Sequence, residues 1–203
     1  ERAAVIVGTG IGGFTTLDDM MHIYHVTKTR LHPMTIPRVM SNAAACHVSM
    51  RYGCTGPVFA VSSACSSANQ AIGIGATLVK SGAVDYAIVG GSEASIAATY
   101  IRGWELLRVL TPDFCRPFSI KRSGMTIGEG AGILVLENAN TAQARGATVL
   151  AEIAGYGTSS DARDLVRPDP EGAAAAMRGA IQSTNLAPDA IDYVNAHGTG
   201  TVI

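Results

Sequence analysis

The sequence predicts an α/β protein built in layers. Short β-branched or aliphatic runs bounded by glycine recur along the 203 residues, and helix-length segments separate several of them. Glycine and alanine are abundant while aromatic residues make up only 5%, a composition suited to helices packed closely on sheets. With 47% hydrophobic residues, the chain can bury a sizeable core.

The first strand is AAVIVG, residues 3–8. The runs PVFAVSS (57–63), YAIVGG (86–91), GILVLE (132–137), TVLAEIAGYG (148–157) and IDYVNAHG (191–198) read as further strands. Helices are expected over residues 65–81, about 93–109, 138–145 and 171–185, the last an Ala-rich run of high helix propensity. The helix near Cys65 carries Ala, Ile, Leu, Val and Gly on nearly every side, as expected of an element surrounded by protein. Residues 158–172 are rich in Asp, Arg, Pro and Ser and read as a long surface loop. Residues 1–145 thus form one unit, and 146–203 read as the opening of a second β-α-β unit. A strand starting almost at residue 1 and a motif ending at Ile203 lead us to expect a piece of a longer protein.

A net charge of −1 gives bulk electrostatics no preferred partner, nucleic acid included. The charges are nonetheless unevenly placed: no acidic residue lies between Asp19 and Asp85, whereas Lys28, Arg30, Arg38, Arg51 and Lys80 all do. Scattered surface cations and a local site for an acidic partner are both open readings. The four cysteines, Cys46, Cys54, Cys65 and Cys115, have neither zinc-site spacing nor the density of a disulfide scaffold, so no metal and a reducing cytoplasm are expected. No apolar run has the length of a membrane span, and ERAAVIVG is not a secretory leader.

Three motifs could carry chemistry. Gly8, Gly10 and Gly13 have the G-x-G-x-x-G spacing of a dinucleotide fingerprint after an apolar strand. A nicotinamide site also needs an acid ending the next strand about 20 residues on, and HIYHVTKTRLHP supplies neither strand nor carboxylate. A close-packing turn is therefore the preferred reading, with an NAD-dependent oxidoreductase as a minor rival. Cys65 follows the strand PVFAVSS where a helix begins, and unpaired backbone N–H groups at such a junction favour an anion and lower a thiol's pKa. Its collar of Ser62, Ser63, Ala64, Ser66 and Ser67 leaves room for a substrate, whereas Cys46, Cys54 and Cys115 lack that setting and read as buried structural thiols. His197, at the end of IDYVNA and trailed by GTGT, is held yet accessible, and with Cys65 it forms a pair suited to acyl chemistry. His22, His25, His32 and His47 read as ordinary surface or core residues.

VSSACSSAN, RPFS, GEGAG at 128–132 with the LVLE that follows, and NAHGTGT, in this order, resemble the type II β-ketoacyl-carrier-protein synthases. Residues 41–46 and PVFAVSSACSSAN are also similar to the nodulation-associated ketosynthases. The resemblance implies a thiolase-like layered α-β-α-β-α fold, here its N-terminal half and the start of its C-terminal half. It implies that Cys65 accepts an acyl group and that decarboxylated malonyl-carrier protein attacks the thioester, giving a 3-oxoacyl chain. By the same resemblance His197 is one of two histidines that assist decarboxylation, and Thr199 and Thr201 hold the phosphopantetheine arm. Ile11 gates the pocket, Trp104 lines its wall, and Thr35 reaches in from a dimer partner beside the PVFAVSS strand. Family members often carry phenylalanine at the Trp104 and Thr35 positions. Arg30 and Arg108 match basic positions that meet the acidic acyl carrier protein. No cofactor is implied beyond the phosphopantetheine of that carrier, and the implied protein is a cytoplasmic homodimer. The second histidine, a lysine and a Gly-Phe-Gly loop of the family have no match in these 203 residues, so the chain alone is expected to be inactive. A non-catalytic ketosynthase-like partner that sets chain length is the main rival, opposed by the presence of Cys65 and His197.

Overall fold

The computed structural model describes residues 2–202, which form two compact units: the chain up to Thr141 together with Thr199–Val202, and Ala142–Gly198. The first contains one sheet of four strands, β1 (Ala3–Gly8), β2 (Val58–Val61), β3 (Tyr86–Glu93) and β4 (Gly130–Glu137), in the order β2-β1-β3-β4. The strand β1 pairs in parallel with β2 (Val5 opposite Val58) and with β3 (Ala3 opposite Tyr86). The edge strand β4 runs antiparallel to β3, Tyr86 opposite Glu137.

The run AAVIVG is apolar throughout because β1 has neighbours on both sides and cover on both faces. Ala4 and Ile6 face a cluster with Ala71, Val79, Ala87 and Val89, while Val5 and Val7 face Ala45. The first cluster is roofed by α4 (Ser67–Lys80) and the second by α3 (Ala43–Tyr52). Gly75 lets α4 press on the sheet, since a Cβ there would lie 2.3 Å from a Val89 methyl carbon. Only one stripe of α4 is buried; Asn69, Thr77 and Lys80 are exposed and Ile72, Ile74 and Leu78 only partly covered. The helix expected to be surrounded by protein therefore packs on one face of the sheet, chiefly on β1 and β3, within this unit.

The helices α1 (Phe14–His22), continued by a turn of π-helix over Ile23–Thr27, α2 (Thr35–Val39) and α3 precede β2, none of them marked by a strong pattern in the sequence. The helix expected near 93–109 is α5 (Ala98–Leu106), shortened because β3 continues to Glu93 and Glu129 ties the following loop by accepting from the Ile96 N–H at 2.8 Å. Then come β4 and α6 (Ala139–Ala144).

In the second unit α7 (Pro170–Gln182) forms as expected. Asp169 caps it by accepting from the Glu171 N–H at 2.9 Å, and Pro170 fits the first turn. Residues 155–159 lie along this helix. A Cβ on Gly157 would meet Ala180 N at 2.2 Å, Tyr156 N–H donates to Ser183 Oγ, and the Ser159 hydroxyl donates to Gly172 O. The flanking runs 148–157 and 191–198 are a correction: neither is a strand. A strand exists through its ladder, and among the described residues neither run pairs with another, leaving Val149, Leu150, Tyr193 and Val194 exposed.

Candidate active site

Cys65 lies in the turn between β2 and α4, two residues before the helix begins. The sequence pattern placed it at the helix start; serine hydroxyls hold the chain out of the helix for those extra residues. Ser66 and Ser67 hydroxyls donate to Ser63 O (2.9 Å) and Ala64 O (2.6 Å), and Ser67 Oγ accepts from Ser63 N–H at 2.8 Å. Ala64 takes φ 51°, a left-handed conformation that costs a non-glycine residue about 1 kcal/mol or more. That kink turns the next side chain outward, and Cys65 is an exposed free thiol.

The thiol borders a groove of about 410 Å³ across the C-terminal ends of β1 and β3, lined by Gly8, Gly10, Ala68, Gly91, Glu93 and Ala131 among others. Glycines make this end of the sheet possible. A Cβ on Gly8 would lie 2.3 Å from the carbonyl carbon of Ser67, and one on Gly91 would lie 2.7 Å from Ala68 Cβ, so α4 starts directly against the strand ends. The glycine-spaced motif is thus a packing turn. The helix α1 does follow it, as a dinucleotide site requires, but Gly10 N–H donates to Glu93 at 2.5 Å and meets a carboxylate where a pyrophosphate would sit.

Ile11 sits in the loop after Gly10 and is 38% exposed. Trp104 is half-buried on α5 and stacks edge-on against Tyr100, which packs against Phe14 at 5.5 Å between ring centroids. An aromatic row therefore joins α5 to the helix that carries on from the Ile11 loop. Thr35 is buried, its hydroxyl donating to His32 O at 2.6 Å. Arg30 and Arg108 are both exposed, Arg108 in a left-handed turn that closes α5.

His197 belongs to the second unit, and is exposed. Thr199 and Thr201 belong to the first, with hydroxyls 2.9 Å apart. Their loop is tied down by residues that the sequence pattern did not single out. Arg122 donates to Thr201 O and Val202 O, both at 2.9 Å, and Gly124 N–H donates to Gly200 O at 2.9 Å. Cys115, expected to be buried, is exposed instead; it sits in the non-helical segment following α5 and its Sγ donates to Thr199 O at 3.2 Å. Cys46 and Cys54 are partly buried. No group of residues among those described could hold a metal ion, and no helix among them is long and apolar enough to cross a membrane.

An outward-turned free thiol at the head of a helix, above a glycine-walled groove at the strand ends, defines an α/β protein with an accessible cysteine at one end of its sheet. Residues 1–142 match the family model of the β-ketoacyl synthase N-terminal domain and residues 150–203 that of the C-terminal domain; the chain belongs to the β-ketoacyl synthase family. It is 47% identical to nodulation protein E of Rhizobium leguminosarum bv. trifolii, over all of this chain and 51% of that protein. It is 39% identical to 3-oxoacyl-[acyl-carrier-protein] synthase 2 of Staphylococcus aureus, over all of this chain and 52% of that protein. Among solved structures it superposes on the ishigamide ketosynthase/chain length factor with a TM-score of 0.95 at 32% identity, covering all of this chain and 51% of the other. A type II polyketide ketosynthase bound to its acyl-carrier protein gives 0.91 at 28% identity, covering 99% and 53%. The thiolase-like fold class is thereby established. The chain spans about half the length of the curated relatives it matches.

Proposed function

We propose that this chain is the acyl-accepting half of a β-ketoacyl-carrier-protein synthase. The observation that carries the reading is Cys65, presented by the Ala64 kink to a groove with no large apolar side chain at its strand ends. The Cys65 thiolate attacks an acyl thioester on the carrier, the thioester bond breaks, and the carrier thiol leaves while the acyl group stays on Cys65. Malonyl-carrier protein then loses CO₂, its α-carbon attacks the acyl carbonyl, and the bond to Cys65 sulfur breaks to release a 3-oxoacyl chain two carbons longer and the thiolate. The Cys65 N–H is one donor to the oxyanion in both steps. His197, with a second histidine from the remainder of the protein, assists decarboxylation, and Thr199 and Thr201 bind the phosphopantetheine arm. Ile11 gates the acyl pocket, Trp104 walls it, and Thr35 is contributed by the second subunit of a homodimer.

The partner is acyl carrier protein, met by Arg30 and Arg108; the relatives include a 3-oxoacyl-[acyl-carrier-protein] synthase and a ketosynthase solved with its carrier. No cofactor other than the carrier's phosphopantetheine enters this chemistry. Four free cysteines accord with the cytoplasm. The pathway is fatty-acid or specialised acyl-chain synthesis, the second favoured by the likeness to nodulation protein E. The rival, a chain-length partner without chemistry of its own, draws on the likeness to a ketosynthase/chain length factor; the exposed Cys65 thiol argues against it.

The test is Cys65→Ala in the intact protein. Intact-mass analysis should lose the covalent acyl adduct, and 3-oxoacyl formation should fall by about a thousandfold or more, as on removing a nucleophile. Condensation at the wild-type rate would remove Cys65 from the mechanism.

A further inference from the structure

The loop at residues 9–13 is tied by hydrogen bonds to the β2 end of the sheet and to α2. Thr9 N–H donates to Val61 O at 3.0 Å, the Ser62 hydroxyl to Gly10 O at 3.1 Å, and Gly13 N–H to Val39 O at 3.3 Å. One side chain does more of this than any other. Glu93, the last residue of β3, accepts from the Thr9 hydroxyl through Oε1 at 2.9 Å and from Gly10 N–H through Oε2 at 2.5 Å. The same Thr9 oxygen accepts from Gly12 N–H at 2.9 Å. A half-buried carboxylate on the neighbouring strand thus fixes the residues on both sides of Ile11: Gly10 directly and Gly12 through a buried hydroxyl that donates one bond and accepts another. Bonds to a charged acceptor are the stronger kind, and both oxygens of Glu93 are used. Glu93, Thr9 and Gly10 also line the groove that Cys65 borders, so a shift of this clamp moves the groove wall beside the thiol.

We infer that Glu93 is a positioning residue that, through Thr9, sets the place of Ile11 and hence the acyl chains that Cys65 accepts. The inference rests on the reading of Cys65 and Ile11 given above. Glu93 touches no reacting atom in this scheme; it acts by the position of the loop. Its chemistry is specific. Glutamine has the same shape but no charge and only one accepting oxygen, so in Glu93→Gln the oxygen keeps Gly10 N–H, the amide N–H turns the Thr9 hydroxyl from donor to acceptor, and both bonds lose their charge assistance.

The test is a double-mutant cycle in the intact protein, comparing kcat/KM for short-chain and long-chain acyl carrier proteins in wild type, E93Q, I11A and E93Q/I11A. E93Q is expected to shift the ratio of the two by about tenfold, the worth of exchanging charge-assisted hydrogen bonds for neutral ones, through kcat more than KM. In the I11A background it should shift the ratio no further, because the side chain it positions is gone. A ratio equal to wild type in E93Q, or the same shift with and without Ile11, overturns the inference; a lowered melting temperature with an unchanged ratio does so too. Should E93Q not fold, Thr9→Val cuts the link to Gly12 while leaving the Gly10 bond, and the same pair of outcomes decides. Intact mass separates the two claims. If wild type forms no acyl adduct on Cys65, the functional reading falls and takes this inference with it. If the adduct forms and the ratio does not move, Glu93 alone is mistaken.

Discussion

The sheet-bearing unit and the unit of residues 142–198 are made from similar sequence and end up differently ordered. Both contain glycine-bounded apolar runs and a helix rich in small residues. In the first, AAVIVG is buried to the last atom of Ile6 and bonded on both edges. In the second, TVLAEIAGYG and IDYVNAHG stay outside any sheet, and α7 with its 155–159 strap is the main ordered feature. Apolar alternation is only permission to be a strand. The ladder that makes it one must come from elsewhere in the chain, and here Ala3–Gly8 finds Tyr86–Gly91 whereas residues 148–157 find no such partner among those described.

The contrast can be broken most severely at Gly8. Because an added Cβ would strike the Ser67 backbone, which no rotamer change relieves, Gly8→Ala is expected to cost about 4 kcal/mol or more and to unfold the sheet unit. Urea unfolding should show the loss, and amide exchange should rise across β1 and β3 while the α7 region changes less. Should β1 keep its protection in that variant, the sheet is not the cooperative unit described here.

A smaller effect belongs to the second unit. Asp169→Ala removes the cap of α7 and the ion pair with Arg163 at 2.7 Å. The expected cost is about 1 kcal/mol, seen as faster exchange in the first turn of α7 with β1 untouched. Equal changes in both regions would mean that the two units unfold together.

The smallest effect lies at the base of the sheet, where Arg2 bridges to Asp85 at 2.9 Å in full view of solvent. The guanidinium hydrogen bond, more than the charge alone, holds the Asp85 carboxyl below its ordinary value. A carboxyl whose folded pKa is lowered stabilises the protein above its unfolded pKa, and the contribution fades as pH falls through the folded value. Wild type should therefore exceed Asp85→Asn in unfolding midpoint only slightly near neutral pH, converge with it in acid below the carboxylate range, and do so sooner in high salt. An undiminished gap in strong acid would mean that the ionised carboxylate is not the source of the difference.

Much of the candidate site was legible in advance because its signals are local. VSSACSSAN marks an accessible cysteine by its small collar between a strand and a helix, and NAHGTGT points to His197, Thr199 and Thr201 through its resemblance to the family motif. Glu93, Arg122 and Cys115 left no such mark. Glu93 stands 84 residues from Thr9, Arg122 stands 79 from Thr201, and Cys115 stands 84 from Thr199, so no window of sequence contains both partners. The Gly8-Gly10-Gly13 spacing shows the same limit from the other side, for it states that something must approach the backbone closely but not whether that is a phosphate, a helix or a carboxylate.

By itself, then, the sequence determined the α/β alternation, the all-apolar central strand and the family motifs, all of which follow from residue type and short-range period. Only the tertiary structure decided that Cys65 stands in a turn ahead of its helix and that Cys115 is exposed. It alone decided that Glu93 occupies the space before Gly10 and that two strand-like runs remain unpaired. The physical reason is common to all four: each depends on which distant backbone groups, side chains or water a residue meets, and that is settled by packing rather than by the residue's own preference.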